Sequence, residues 1–289
     1  MFARMSLRSF SPHCANETWN QGQGQARAIP CAGASTLSYS QLFPEPGSGR
    51  VYRSQRRIRL SDAAPDGRLR FDAMARYMQD VASDDLADAG AEDEALAWVV
   101  RRTAVDVVTP FGTDHSVALS TWASGSGSRW GARRTSIAGD AGGRTEAESL
   151  WVLIDRASSR LARLPAVFDD LYAASTQGRK VSAKLELAPD PAPEAKRVRW
   201  PLRVADIDML GHANNAVYWA AVETALAVGA NGTNTLAAQR LQGILEYRHP
   251  VDLTSDLELA IAGGRSGMSV WFIDDGGTAA CAVVRRASS

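Results

Sequence analysis

From Val51 the chain alternates: Tyr52, Ser54, Arg56, Ile58 and Leu60 stand against intervening basic residues, the period of a strand. After an Asp66-Gly67 turn, Phe71, Met74, Tyr77, Met78, Val81 and Leu86 recur at helical spacing, with Asp72 near the start and Gly90 as the stop. That run predicts one apolar helix of roughly 18 residues, long enough to centre a core. Four strand-like runs follow, Trp98 to Val108, Ser116 to Ser124, Arg129 to Ala138 and Arg144 to Asp155, separated by Gly, Asp and Pro turns. The order then recurs. Arg197 to Val204 reads as a strand and Ala216 to Val228 as an apolar helix; strands follow at Gly243 to His249, Leu257 to Gly263, Gly267 to Ile273 and Gly276 to Arg285.

The two series are also in register. Asp206 and Gly211 repeat Asp62 and Gly67 at an offset of 144 residues (206 − 62), and Pro250 repeats Pro110 at 140 (250 − 110). Two copies of one β-α-β-β-β-β unit are therefore expected, 50–164 and 196–289. Between them, 165–195 is rich in Pro, Ala and charge and reads as a linker with one short helix over 168–175. One long apolar helix with about five antiparallel strands suits a sheet wrapped round that helix. Joined edge to edge, two such units predict an α+β double hotdog, with its helices side by side and an acyl-sized space between the halves.

Composition narrows the setting. The 289 residues are 45% apolar and 22% charged with a net charge of +0, so no nucleic-acid or anionic-membrane partner is indicated. No run of about 18 apolar residues occurs, and no spanning helix is expected. Cys14, Cys31 and Cys281 lack metal-ligand spacing and are odd in number, which argues against a disulfide framework and for a reducing, cytoplasmic compartment. Residues 1–49 are rich in Ser, Gly, Gln, Ala and Pro without sustained period and read as a disordered N-terminal extension. A tail or an upstream start is the leading reading of them, and their acid-poor, Arg-bearing composition leaves a targeting sequence as the alternative.

The chemistry concentrates between the last strand-like run of the linker side and the second helix, in Asp206-Ile207-Asp208-Met209-Leu210-Gly211-His212-Ala213-Asn214-Asn215. A turn that opens a helix gathers unpaired N–H groups and the positive end of the helix dipole, and so can hold a polarised carbonyl oxygen. Asp208 and His212 are the one close acid–base pair beside such a turn.

These residues resemble a known signature. Asp206-Ile207-Asp208 with His212-Ala213-Asn214-Asn215 and Tyr218 is similar to the Asp-x-Asp…His-x-Asn-Asn-x-x-Tyr element of the fatty acyl-ACP thioesterase family of plants and bacteria. Trp122 to Gly127 followed by Arg133-Arg134 resembles its Trp-x-x-x-x-Gly…Arg-Arg element, and the likeness runs from about 51 to 285. The resemblance implies a double hotdog that hydrolyses acyl thioesters of acyl carrier protein to free fatty acid, in lipid metabolism, without a cofactor or metal. It places the catalytic residues in the second repeat, the aspartate at Asp208 and the histidine at His212. The asparagine of plant members is Leu210 here, and their downstream acid or cysteine falls at Pro250 or Val251. Asp208 to His212 also looks like single-domain acyl-CoA thioesterases, so CoA is the alternative carrier.

Under that reading Asp208 serves as general base or nucleophile, against a plain Asx-turn role. His212 orients the carboxylate or meets the thioester oxygen, or else is a helix-entry histidine bonded to backbone. At least one of Asn214 and Asn215 caps the helix and the other offers its amide to substrate, while Ala216 and Val217 N–H are oxyanion donors. Glu246 is a second acid if it faces the cleft, and otherwise a solvent-facing strand residue. Glu223 is left between pocket acid and buried hydrogen-bonding group; His115 and His249 read as structural. Arg133 and Arg134 meet the phosphopantetheine or the acidic carrier, or else are strand-edge charges in water. Ala64 and Arg68 stand in the first repeat where Asp208 and His212 stand in the second, which predicts one active site per chain. Two rivals remain at this point: a 3-hydroxyacyl-thioester hydratase or dehydratase, and a non-catalytic acyl-thioester binder. A double hotdog is itself dimer-like, so monomer and homodimer both stay open.

Overall fold

In the computed structural model, which describes residues 42–229, 240–264 and 267–287, the repeat becomes one antiparallel sheet built twice. The first unit supplies β1 (Tyr52–Arg57), α1 (Phe71–Asp88), β2 (Leu96–Thr109), β3 (Ser116–Ser126), β4 (Trp130–Gly139) and β5 (Arg144–Asp155). A short β6 (Arg160–Leu161) adds to β5, and α2 (Ala166–Thr176) opens the connection. The second unit supplies β7 (Lys196–Arg199), α3 (Asn215–Gly229), β8 (Leu241–Tyr247), β9 (Glu258–Gly264), β10 (Gly267–Asp274) and β11 (Gly277–Arg286). The strand order β1-β3-β4-β5-β2-β8-β11-β10-β9-β7 reads the same outward from its centre in both directions. The units join at β2–β8, from Arg102 opposite Glu246 to Val107 opposite Leu241. This is the expected α+β double hotdog.

One predicted strand is shorter than expected. The run from Arg197 to Val204 stays extended only to Arg199, because Pro201 brings no N–H to a ladder, and Val204–Asp206 coils into a 3-10 turn. Leu60–Asp62 does the same at the same offset.

Sequence periodicity explains the core. α1 buries Phe71, Met74, Met78 and Val81, and α3 buries Trp219, Val222 and Ala225 between the sheet and α1. Each large apolar side chain removed from water contributes about 1.5–3 kcal/mol. Phe71 meets Trp219 edge-on at 6.3 Å, so the start of α1 lies beside α3. A Cβ at Gly243 would stand 3.3 Å from the Trp219 ring, a spacing that lets the helix settle onto β8. A small apolar cleft lies here, walled by Met74, Met78, Trp219, Val105 and Leu241 from both halves.

The connection is more than a linker. Phe168 and Tyr172 of α2 pack on Ala123, and Tyr172 Oη donates to Asp85 of α1 at 2.8 Å, so α2 lies on the helix-bearing face of the sheet. Beyond α2 the chain crosses the second unit, where Trp271 donates to Ala188 O at 3.0 Å and Leu187 packs with Ile244 and Cys281. Part of the expected extension is also packed: Arg134 Nε donates to Phe43 O at 3.1 Å and Arg179 lies over the Phe43 ring. Residues 1–41 lie outside the described residues. No helix among those described is long and apolar enough to cross a membrane.

Candidate active site

The segment that opens α3 repeats the main backbone hydrogen bonds of the turn that opens α1. Ala64 N donates to Arg68 O and Asp208 N to His212 O, at 2.7 and 2.9 Å. Arg70 N donates to Asp62 O and Asn214 N to Asp206 O, both at 2.9 Å. Gly67 and Gly211 supply the left-handed residue, with φ of 84° and 80°. Asp62 and Asp206 brace the two turns. The Asp206 carboxylate accepts from Arg203 N at 2.8 Å and from its guanidinium at 2.6 Å, and those bonds hold its carboxyl below the ordinary range. For Asp62, burial pulls upward, but Tyr77, Arg59 N–H and Arg76 outweigh it and the carboxyl is also lowered. Asp206 is thus architectural, as its counterpart suggested.

The side chains then diverge. In the first repeat Arg68 is buried and its guanidinium pairs with Glu223 of α3, while Phe71 N donates to the other Glu223 oxygen at 2.8 Å. Glu223, left open from sequence, therefore plugs the first turn and caps α1. In the second repeat Asp208 is half-buried; its Oδ1 accepts from Leu210 N at 2.9 Å, and its Oδ2 has no hydrogen bond among the described residues. The Asx-turn and an open carboxylate oxygen coexist. His212 is exposed and makes no side-chain hydrogen bond among the described residues. Asn214 Oδ1 accepts from Ala216 N at 2.9 Å, so Asn214 is the cap. Asn215 opens α3, and its carbonyl accepts from Tyr247 Oη at 3.2 Å.

The expected oxyanion donors need correction. Ala216 N is taken by the Asn214 side chain and Val217 N by Asn214 O. The Asn215 N–H, which matches the Phe71 N–H held by Glu223, has no acceptor among the described residues. Glu246 is also not where a second acid was expected. Its neighbours Leu245 and Tyr247 face the helices, so Glu246 points to the opposite face, fully buried under the connection. There it accepts from Glu186 N at 2.8 Å and Leu187 N at 2.9 Å. It is neither in the cleft nor in solvent. Arg133 and Arg134 are likewise committed, Arg133 to Asp85 at 2.7 Å and the buried Arg134 to Glu146 and Ala147 O at 2.8 and 2.7 Å.

Two further groups share this end of the sheet, Tyr218 of the quoted signature and His249. Tyr218 packs edge-on against Tyr247 and Phe272, at 5.2 and 4.9 Å, and burial with the negative charges of Asp274 and Asp208 raises its phenol well above the ordinary value. His249, read as structural, has its Nε2 3.0 Å from an Asp274 oxygen. The signal for this pair was present in alternation, since His249 and Asp274 lie two residues beyond the helix-facing aromatics Tyr247 and Phe272.

A tandem hotdog with one open helix start and one plugged one defines the class: a double hotdog whose two matching turns differ in their side chains. Comparison with known proteins makes it specific. A family model of the acyl-ACP thioesterase N-terminal domain matches residues 49–174, and one of the C-terminal domain matches 190–278. The chain belongs to the acyl-ACP thioesterase family and is a thioester hydrolase. It is 29% identical over 245 residues to an uncharacterised protein of Mycobacterium tuberculosis, covering 85% of this chain and 96% of that one. The fold matches the 12:0-ACP thioesterase from Umbellularia californica with a TM-score of 0.65 and 21% identity, over 83% of this chain and 98% of that chain. An acyl-ACP thioesterase from Bacteroides thetaiotaomicron superposes with a TM-score of 0.64 and 16% identity, over 82% and 98%.

Proposed function

We propose that the chain hydrolyses fatty acyl thioesters of acyl carrier protein, with CoA thioesters as the secondary substrates, at one site per chain where α3 begins. The observation that carries this is the contrast between the two turns: Glu223 occupies the N–H of Phe71, whereas the matching N–H of Asn215 stands open beside Asp208. The thioester oxygen accepts from Asn215 N–H at the positive end of α3, an interaction worth about 10²–10³ in rate when aimed at the developing oxyanion. Asp208, with Oδ1 held by Leu210 N, presents Oδ2 to the acyl carbon or to its water. His212 orients the substrate at the exposed rim and Asn214 fixes the helix start. The acyl chain runs between helices and sheet toward the apolar cleft at the Leu241 end of β8, roughly 13–20 Å from the turn at about 3.3 Å per residue. Release of free fatty acid from a carrier-bound thioester places the reaction at the end of fatty acid synthesis.

Thiol release, followed with a thiol-reactive dye across acyl-ACP and acyl-CoA of short to long chains, tests this. Turnover by the wild type that falls about 10²-fold or more in Asp208→Asn, with melting unchanged, is the expected result. Equal turnover in the variant refutes the site, and no release from any substrate refutes the function.

A further inference from the structure

The quoted signature assigns nothing to His249 or Asp274, yet they form a carboxylate–imidazole pair at the open turn. His249 Nε2 lies 3.0 and 3.2 Å from the two Asp274 oxygens, and the side chains are 33% and 10% exposed. Along β8, Leu241, Leu245 and Tyr247 belong to the helix-facing core, and along β10 so do Met268, Val270 and Phe272. Carried two residues further, the alternation leaves His249 and Asp274 on that same face, at the end where α3 starts. The residues on either side of His249 grip the Asp208 segment. Tyr247 Oη donates to Asn215 O at 3.2 Å, and Val251 O accepts from Ala213 N at 2.7 Å. Tyr218 packs edge-on against Tyr247 and Phe272, and burial with the negative charges of Asp274 and Asp208 raises its phenol. Leu210 and Pro250 bring no polar side chain to this turn, so His249 is the ionisable group that β8 delivers there.

With the Asp274 carboxylate on Nε2, the proton of a neutral imidazole is fixed on that nitrogen and Nδ1 keeps its lone pair. Nδ1 has no hydrogen-bond partner among the described residues.

We propose that His249, oriented by Asp274, is the proton acceptor of the hydrolysis and that Asp208 is its nucleophile. This rests on the reading of the α3 start as the thioesterase site. Asp208 Oδ2 bonds to the acyl carbon as the C–S bond breaks, giving a mixed anhydride and a thiolate. Water then bonds to the acyl carbon and gives a proton to His249 Nδ1. The bond to Oδ2 breaks to restore the Asp208 carboxylate, the fatty acid leaves, and the proton on Nδ1 passes to the thiolate. His249 is thereby a catalytic residue and Asp274 a positioning residue.

The test is stopped-flow thiol release by the full chain, with the acyl-ACP or acyl-CoA that the wild type turns over fastest. His249→Ala is expected to release about one thiol per chain in a burst and then turn over about 10²-fold more slowly, because the anhydride forms but waits for a base. Added imidazole is expected to restore part of the steady rate. Asp274→Asn should lower kcat about tenfold with KM unchanged, as expected when a base loses its orienting partner. His249→Gln, with its melting temperature, guards against a folding defect. A steady rate in His249→Ala within about threefold of wild type, or a loss without the burst, overturns the proposal. Wild type that releases no thiol, or Asp208→Asn that equals wild type, instead fails the underlying site reading.

Discussion

Glu223→Gln isolates the device that closes the first turn. The Arg68 side chain is 6% exposed and that of Glu223 15%, so this is a buried pair rather than a surface one. Glu223 also accepts from Phe71 N at 2.8 Å, serving the positive end of α1. Glutamine keeps the shape but removes the charge, leaving the buried guanidinium only Asp66, 3.7 Å from its Nε, as a counter-ion. Breaking one side of such a pair costs about 3–5 kcal/mol, whereas replacing both members by apolar groups of similar volume is often neutral. In a domain of this size each kcal/mol moves the melting temperature by about 2–4 °C, so Glu223→Gln should melt about 6–20 °C lower. The double variant Arg68→Met/Glu223→Leu should recover most of that. Differential scanning calorimetry of both, with thiol release measured well below the transition, is the assay. Because Glu223 serves the plugged turn, kcat of the folded variant should stay near wild type. A shift under about 2 °C, or a double variant no more stable than the single, refutes the reasoning.

Three further outcomes follow from the same geometry. Asp85 is fully buried and receives Arg50 at 2.6 Å, Arg133 at 2.7 Å and Tyr172 Oη at 2.8 Å, so Asp85→Ala should cost about 3–5 kcal/mol in denaturant melts with activity of the folded fraction retained. Glu246→Gln should destabilise by about 1–3 kcal/mol through its bonds to Glu186 N and Leu187 N while leaving kcat and KM within about twofold; a selective loss of kcat would return Glu246 to the reaction. Asp62 and Asp206 both have carboxyls lowered in the fold, so their stabilisation is complete above the unfolded value of about 3.9 and is lost as pH falls through the lower folded one. Asp62→Asn and Asp206→Asn should therefore flatten the acid limb of a stability–pH curve, and an unchanged slope below about pH 4 would contradict the bracing role.

The double hotdog was legible because hydrophobic period and repeat offset agree: Asp62 and Gly67 return as Asp206 and Gly211, and Phe71 to Val81 as Ala216 to Val228. The difference between the two turns was legible for the same reason, since Ala64 and Arg68 stand where the second copy has Asp208 and His212. What the chain did not disclose depends on contacts across long separations. Alternation says that Leu245 and Glu246 face opposite ways, but not which way, and a Pro- and Ala-rich connection gave no sign that it would roof Glu246 with backbone N–H groups. The free N–H is that of Asn215 rather than Ala216 or Val217 because capping by Asn214 is a matter of side-chain rotamer. His249 was read as structural because it lies near a turn without a metal-ligand companion in sequence, and its partner Asp274 stands on another strand.

The central claim, that only the second turn works, is tested most directly by a matched pair. Asp208→Asn and Ala64→Ser alter corresponding positions of the two turns, and the measurement is kcat for thiol release from acyl-ACP. Asp208→Asn should lower kcat about 10²-fold or more, and Ala64→Ser should keep the wild-type rate. Comparable losses in both, or none in Asp208→Asn, would contradict that claim.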